Sequence, residues 1–264
     1  MLDSPNGFLD YHWTTMNTPL SAPSPIQAWP KEWLTVYYKS YPRFPRIELP
    51  HPTVGPPVSL EESMRRRASR REFESEQPLH LDDVSYLLQG LGQVDELLTG
   101  REDDFRRSYP SAGGRYPLEG YVVPLRVHGL KQSVYHYHVR THSLEELWPV
   151  SQSAFEECFL KDEWCLSAGL VVFLSASYRR SSIKYNERSY RYCLLEAGHA
   201  AQNMLLLAES RNLAGCPYGG FCDEPVMRLL DLNPQEELPL YALFFGKRAP
   251  PAIPSNRSGH LSWQ

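Results

Sequence analysis

Proline is concentrated at the start of the chain, and this distribution limits most strongly how the chain can fold. Eleven of the 23 prolines lie before residue 58. Each proline fixes φ and removes a backbone N–H, so this stretch cannot form long helices or central strands. Aromatic residues such as Tyr11, His12 and Trp13 are too apolar for a free tail. We therefore expect residues 1–58 to form an extended arm that wraps the core or a partner subunit.

Residues 59–249 carry the periodic patterns of a folded domain. Ser59, followed by two glutamates, predicts a helix start. A second helix is predicted from Leu81 to Leu91, where leucines recur at helical spacing. The strongest helix pattern runs from Ser189 to Leu213, and Gly215 lies just past its end.

Strand patterns alternate with these helices. Gly120–Val127 and Val134–Val139 flank a turn that contains Gly129, which predicts a hairpin. The continuous apolar run Gly169–Ala176 predicts a central strand, and Leu240–Phe245 predicts a last strand. Together the patterns indicate an α+β domain with an antiparallel or mixed sheet.

Three segments are expected to lack regular structure. Gly92–Tyr109 is charged and predicts a mobile loop, and Gly215–Phe221 predicts a flexible loop that lets backbone pass close to a ligand. Residues 250–264 form a proline-rich tail. The folded domain is therefore expected to end at residue 249.

Composition excludes several classes of protein. The net charge of −4 and the pI of 6.1 argue against a nucleic-acid-binding protein, which needs a surplus of basic residues. The longest apolar run is much shorter than the roughly 20 residues of a membrane span, and no signal peptide is visible, so we expect a cytoplasmic protein. His136 and His138 share a strand face without an evident partner, and no metal site is predicted. An odd number of cysteines without a CxxC pair predicts buried or partly buried thiols in a reducing compartment: Cys158, Cys165, Cys193, Cys216 and Cys222.

An arginine-rich segment is the first candidate binding motif. Arg67, Ser69 and Arg71 alternate, so an extended backbone would direct all three side chains at one anion, and arginine suits phosphate oxygens. The alternative is a solvated, charged helix end. Lys247 and Arg248, after the last strand, form a second candidate anion-binding site.

A loop of small residues between two prolines is the second candidate. Its backbone can approach a flat ligand closely and donate free N–H groups. The alternative is an ordinary surface turn. The loop consists of Pro110, Ser111, Ala112, Gly113 and Gly114 before Arg115, Tyr116 and Pro117.

Lys184 and Tyr185, just before the long helix, are the candidate catalytic pair. A lysine beside a tyrosine can lower the pKa of the tyrosine, or can itself act as a base when desolvated. The alternative is a charged helix flank. Within the helix, Glu196, His199 and Asn203 form one polar stripe, which suits either a hydrogen-bond network at a dimer interface or a site wall.

In chain order, six of these segments resemble the SagB/ThcOx-type dehydrogenases of the nitroreductase superfamily over residues 59–249. They are RRASRREF, PSAGGRYPLEGYVV, GLKQSVYHYHVRTHSLE, KYNERSYR, LLEAGHAAQN and CPYGGF. The resemblance implies a nitroreductase-like fold, with a central mixed or antiparallel sheet, flanking helices and a long helix at a dimer interface. One mild departure is Asn186, where the family often has glycine.

The resemblance also implies a homodimer that binds flavin mononucleotide (FMN) at the subunit interface. By this analogy Arg67, Ser69 and Arg71 hold the phosphate and ribityl chain, with help from Lys247 or Arg248. The loop from Pro110 to Gly114 borders the isoalloxazine ring. Gly219 and Gly220 line its far side, and Lys184 and Tyr185 carry the catalysis.

The activity implied is oxidation of thiazoline or oxazoline rings to thiazoles or oxazoles in a peptide or carrier-bound substrate. Tyr185, assisted by Lys184, would remove the ring Cα proton while hydride passes to the flavin. Peptide guidance would come from a cyclodehydratase or leader-binding partner, because the arm is too short and proline-rich to be a leader-recognition domain. The alternatives are an NAD(P)H-dependent nitro- or quinone reductase and a non-catalytic scaffold subunit.

Overall fold

The computed structural model describes residues 7–16, 30–34, 38–51, 58–97, 105–159 and 162–250. Residues 251–264 of the predicted tail lie outside the described part. The strands are β1 (Arg46–Glu48), β2 (Gln93–Leu97), β3 (Phe105–Arg107), β4 (Leu118–Pro124), β5 (Ser133–His138), β6 (Ser143–Pro149), β7 (Leu170–Ser177), β8 (Leu213–Tyr218) and β9 (Glu237–Lys247). The helices are α1 (Gly7–Thr14), α2 (Lys31–Leu34), α3 (Leu60–Arg66), α4 (Leu81–Leu88), α5 (Gln152–Glu156), α6 (Arg179–Tyr185), α7 (Ser189–Ser210) and α8 (Asp223–Leu229).

Seven strands form one sheet in the order β1-β6-β5-β4-β7-β9-β8, and each neighbouring pair is antiparallel. The strands β2 and β3 form a separate hairpin. Every residue of β4 is buried, as is every residue of β7 but the last. A strand buried on both faces is expected to read as a continuous apolar run, which explains why β7 was visible in the sequence.

The long helix α7 packs on the sheet through small residues. Ala197, Ala200, Ala201 and Ala208 are all buried, and α7 is in contact with β8, β9 and α4. Small side chains let the helix axis approach the sheet closely. The position of α7 is therefore fixed by its packing against the core.

Three predictions about regular structure are wrong. The expected mobile loop from Gly92 contains β2 and β3, the expected flexible loop from Gly215 begins inside β8, and α7 ends at Ser210, before Leu213. The missed strands are short, and β8 contains a proline. Pro217 is tolerated because β8 lies at the edge of the sheet.

The described parts of the arm contact the core. The Tyr11 hydroxyl donates to the carbonyl of Glu187 at 2.9 Å, and Arg188 donates to the carbonyl of Thr15 at 2.7 Å. Further along, Lys39 lies 2.7 Å from Glu237 at the start of β9. The described parts of the arm are therefore held by hydrogen bonds and an ion pair.

The described helices include none that is long and apolar enough to span a bilayer. The five cysteines are free thiols, four of them buried, as predicted. Burial raises the pKa of Cys158, Cys165 and Cys193 to about 12.

A buried charge network joins three strands to α6. His136 lies 2.9 Å from Glu119 and 2.8 Å from Glu145, and Arg180 forms an ion pair with Glu119. Sequence reasoning found no partner for His136, because these carboxylates come from the neighbouring strands. Burial opposes ionisation of Glu119, but Arg180 and His136 outweigh it and lower the pKa of Glu119 to about 2. This network fixes α6 to the sheet.

We predict that Glu119→Gln lowers the free energy of unfolding by about 3 kcal/mol, because Arg180 is left without a buried counter-charge and His136 keeps only Glu145. A carboxyl with a depressed folded pKa stabilises the protein above its unfolded pKa of 4.5. That contribution is lost as the pH falls from there towards 2. Urea unfolding at several pH values measures both effects.

Glu146→Gln is the matched control, because Glu146 pairs with the largely exposed Lys131 on the surface. We expect it to change stability by less than about 1 kcal/mol. Equal losses of stability with acid in wild type and Glu119→Gln would contradict the prediction.

Candidate active site

The small-residue loop and the Lys184–Tyr185 pair, predicted separately, lie against each other. Residues Ala112–Gly114 form a 3₁₀ turn, and Gly113 has φ 59° and ψ 23°. A Cβ atom placed on Gly113 would lie 2.9 Å from Lys184 Nζ and closer still to the Tyr185 hydroxyl. Both the left-handed backbone and this close approach require glycine.

The pair occupies the last two positions of α6. Arg180, in the first turn, donates to the carbonyl of Tyr116 at 3.2 Å and accepts a hydrogen bond on its own carbonyl from Arg115 at 2.8 Å. These bonds tie α6 to the chain that leaves the loop. The ring of Tyr185 packs edge-on against Tyr192, with the ring centres 5.0 Å apart. The pair is therefore held on a rigid element.

The pKa values of Lys184 and Tyr185 are shifted in opposite directions. Burial and the nearby Arg115 guanidinium lower the pKa of Lys184, whereas burial raises the pKa of Tyr185. Lys184 is therefore shifted towards the neutral amine, which can accept a proton. Tyr185 keeps its hydroxyl proton and can donate a hydrogen bond.

The polar stripe of α7 anchors the loop. Glu196 accepts hydrogen bonds from the Ser111 hydroxyl at 2.8 Å and from the Ala112 N–H at 3.1 Å. Asn203 donates to the carbonyl of Ser108 at 3.0 Å. The stripe was visible in the sequence, but the element it faced was not, so Glu196 was missing from the predicted site residues.

A second cluster forms a cleft of about 580 Å³ where the arginine-rich segment meets the end of β9. Arg70 N–H donates to the carbonyl of Gly215 at 3.0 Å, and Glu74 N–H donates to the carbonyl of Lys247 at 2.9 Å. These bonds hold the segment against β8 and against the end of β9. The cleft is lined by Ser69, Arg70, Arg71, Glu72, Arg248, Ala249 and Pro250.

The cleft has an excess of guanidinium groups. The Nε atoms of Arg70 and Arg248 are buried and have no hydrogen-bond partner among the described residues. Arg248 also lies 2.8 Å from Glu209 of α7, and Arg66 lies 3.2 Å from the same carboxylate. Donors without partners in a concave cationic site are suited to an anion.

Four predicted binding residues lie elsewhere. Arg67 follows α3 and does not line the cleft, and the Lys247 ammonium pairs with Asp83 at 2.8 Å. Gly219 and Gly220 are exposed after β8 and line neither the cleft nor the loop contact. The structure thus brings together Ser69, Arg71 and Arg248 in one place, and the loop with Lys184 and Tyr185 in another.

An antiparallel sheet flanked by helices, with one long helix beside both clusters, has the predicted nitroreductase-like architecture. The chain belongs to the nitroreductase family: the family model matches residues 64–247. This family consists of flavin oxidoreductases in general. The predicted fold class and family resemblance are confirmed.

Three named relatives add detail. The protein MJ1384 of Methanocaldococcus jannaschii, named as a nitroreductase, is 32% identical over 194 residues. The match covers 72% of this chain and 92% of that protein. The microcin B17-processing protein McbC of Escherichia coli is 29% identical, over 53% of this chain and 54% of its own length. The trifolitoxin-processing protein TfxB of Rhizobium leguminosarum is 33% identical, over 50% of this chain and 37% of its own. The peptide-processing relatives support the SagB/ThcOx-type branch.

Solved structures agree on the fold. The crystal structure of a protein from Anabaena variabilis, named as a nitroreductase, matches with a TM-score of 0.67 and 27% identity. The match covers 90% of this chain and 45% of that chain. The microcin synthetase McbBCD complex of Escherichia coli contains a chain with a TM-score of 0.60 and 21% identity, matched over 92% of both chains.

We predict that Gly113→Ala displaces the Lys184–Tyr185 pair, whereas Gly114→Ala does not. Both glycines have positive φ, 59° and 63°, so each alanine costs about 1–2 kcal/mol of backbone strain. Only at Gly113 does the added Cβ meet the pair; at Gly114 nothing lies within 4 Å. Urea unfolding should show similar losses, and near-ultraviolet circular dichroism should change in Gly113→Ala alone. Identical spectra for the two variants would rule the contact out.

Proposed function

We propose that the chain is an FMN-dependent dehydrogenase that oxidises thiazoline or oxazoline rings to thiazoles or oxazoles in a peptide or carrier-bound substrate. The observation that carries the proposal is the packing of a partly buried lysine and a partly buried tyrosine against the Gly113 turn. The processing of peptides by McbC and TfxB, stated in their names, supports the substrate class.

The residues of the cleft fit the FMN phosphate. Ser69, Arg71 and Arg248 present a hydroxyl and two guanidinium groups, and a guanidinium can bind phosphate oxygens in a bidentate manner. The unpartnered Nε atom of Arg248 adds a donor. When bound, FMN supplies a two-electron acceptor for hydride.

Azoline oxidation removes one proton and one hydride from the ring, and the chain supplies the base for the proton. Lys184 is the better base, because its pKa is lowered by burial and by Arg115. Tyr185, whose pKa is raised by burial, donates a hydrogen bond and orients the substrate. The family resemblance implied Tyr185 as the base, and the residues themselves left open that Lys184 is the base; we propose the second assignment.

The two clusters support a homodimer. Thirteen residues of α7 separate Glu196, which anchors the loop, from Glu209, which binds Arg248. At 1.5 Å per residue these two anchors are about 20 Å apart along the helix, so the loop and the cleft are attached at different ends of it. We propose that a second copy packs antiparallel on the outward face of α7, where Leu194 and Leu195 are 46% and 59% exposed. The loop of one copy would then approach the cleft of the other.

A cyclodehydratase or a leader-binding protein would present the peptide to the chain.

The second candidate function is a nitro- or quinone reductase that reduces its substrate with NAD(P)H. The match to MJ1384, which covers nearly all of that protein, supports this candidate. Consumption of NADPH with a nitroaromatic, without loss of two hydrogens from a thiazoline peptide, would favour it.

We predict that Arg71→Ala and Arg248→Ala each weaken FMN binding about 10- to 100-fold, because each removes a charge-assisted hydrogen bond worth about 1.5–3 kcal/mol. Quenching of flavin fluorescence measures the Kd. Riboflavin lacks the phosphate, so its binding should be nearly equal in wild type and variants. Arg43→Ala removes an exposed arginine outside the cleft and should leave both affinities unchanged. Failure of the wild type to bind FMN would reject the proposed cofactor.

We predict that Lys184→Ala keeps FMN and lowers kcat about 100-fold or more, as expected for loss of the base. Tyr185→Phe should also keep FMN and lower kcat by about tenfold, as expected for loss of one orienting hydrogen bond. Mass spectrometry of a synthetic thiazoline peptide follows the loss of two hydrogens. The wild-type rate should rise with pH as Lys184 loses its proton, with a midpoint below the ordinary pKa of 10.5. Tyr185→Phe should keep this pH dependence and Lys184→Ala should lose it. Lys131→Ala, a surface variant, should match wild type; full turnover by Lys184→Ala would exclude the base.

A further inference from the structure

Glu196 is a buried carboxylate for which the proposed chemistry gives no role. Its side chain is 3% exposed. Its Oε1 atom accepts both hydrogen bonds from the loop, whereas Oε2 is buried without a hydrogen-bond partner among the described residues. Burial of a carboxylate with one unsatisfied oxygen costs free energy. Such a residue calls for an explanation other than stability.

Both donors to Glu196 belong to the turn that touches the candidate catalytic pair. The Ser111 hydroxyl donates to Glu196 and also accepts from the N–H of Tyr116 at 2.8 Å, so it links the two ends of the loop. The next residue after Ala112 is Gly113, which lies against Lys184. A continuous set of contacts therefore leads from α7 through the turn to the pair.

We propose that Glu196 is a positioning residue: its ionised carboxylate holds the Ser111–Gly113 turn against Lys184 and Tyr185, and protonation of Glu196 loosens that turn. The catalytic consequence rests on the proposed function, but the contact itself does not depend on flavin or substrate.

Glu196 and four of the described groups around it differ in the direction and cause of their pKa shifts. Burial raises the pKa of Glu196 to about 7, although the hydrogen bonds from the loop lower it. Burial raises the pKa of Tyr109 and Tyr185, and that of Cys193 to about 12. Burial lowers the pKa of Arg107, but nearby acidic groups raise it further, so it stays charged. These four groups keep their protons from about pH 5 to 8.

The direction of the pH effect follows from hydrogen-bond strength. An ionised carboxylate accepts a hydrogen bond roughly twice as strongly as a neutral carboxyl. When the pH falls through about 7, Glu196 takes up a proton, and its bonds to Ser111 and Ala112 weaken. The turn is therefore ordered above neutral pH and less ordered below it.

Hydrogen–deuterium exchange of residues 111–116 tests this inference in the full-length protein without added flavin. After correction for the intrinsic exchange rate, we expect protection in wild type to fall about fivefold between pH 8 and pH 6, for a loss of roughly 1 kcal/mol. In Glu196→Gln the protection should be low at both pH values. Ser111→Ala removes a bond to the charged form, so the midpoint should move to higher pH.

Glu209→Gln is the matched control, because Glu209 is a buried, hydrogen-bonded carboxylate on the same helix that contacts Arg248 and not the loop. It should leave the protection of residues 111–116 and its pH dependence as in wild type. A pH-independent wild type, or the wild-type pH dependence in Glu196→Gln, would overturn the inference. If Glu196→Gln does not fold, an unmoved midpoint in Ser111→Ala overturns it instead.

Turnover distinguishes this inference from the proposed function. If both hold, kcat for the thiazoline peptide has an acid limb near pH 7 in wild type that is absent from Glu196→Gln. A pH-dependent turn in a protein that never oxidises the peptide supports the positioning contact and rejects the proposed substrate. An oxidase whose kcat lacks the acid limb overturns the inference and leaves the function standing.

Discussion

Close packing of α7 is the constraint on which both halves of the candidate site depend. A Cβ atom on Gly90, after α4, would lie 2.6 Å from Met204 Cγ, and one on Gly215 in β8 would lie 2.9 Å from Leu205 Cδ2. The helix can approach these elements only because both positions lack a side chain. Since Glu196 and Glu209 are carried by the same helix, a larger residue at either glycine would move the anchors of the loop and of the cleft together.

Parts of the fold were predictable because their sequence patterns are long and periodic. The apolar face of α7 and the continuous run of β7 needed no knowledge of neighbours. The strands β2 and β3 were missed because they are short and charged, and β8 was missed because it is stabilised by pairing with the distant β9. Residues 213–218 include two small residues and a proline, so their pattern is that of a loop until β9 supplies the partner strand.

The candidate site was predictable to the level of its motifs but not of its contacts. The motifs indicated Arg71, Lys184 and the Gly113 loop, because these residue types suit an anion, a base and a close approach of the backbone to a ligand. Which side chains face one another depends on tertiary structure. Lys247 pairs with Asp83 of α4, which lies 164 positions earlier in the chain, and no local pattern could show this contact. Long-range ion pairs of this kind decide which cations remain for a ligand.

The burial of three cysteines lowers their reactivity towards other molecules. At a pKa of about 12, roughly one thiol in 10⁵ is ionised at neutral pH, and the thiolate is the species that attacks disulfides and electrophiles. Cys158, Cys165 and Cys193 are in addition shielded from solvent. These three thiols are therefore poorly placed to form mixed disulfides with another molecule.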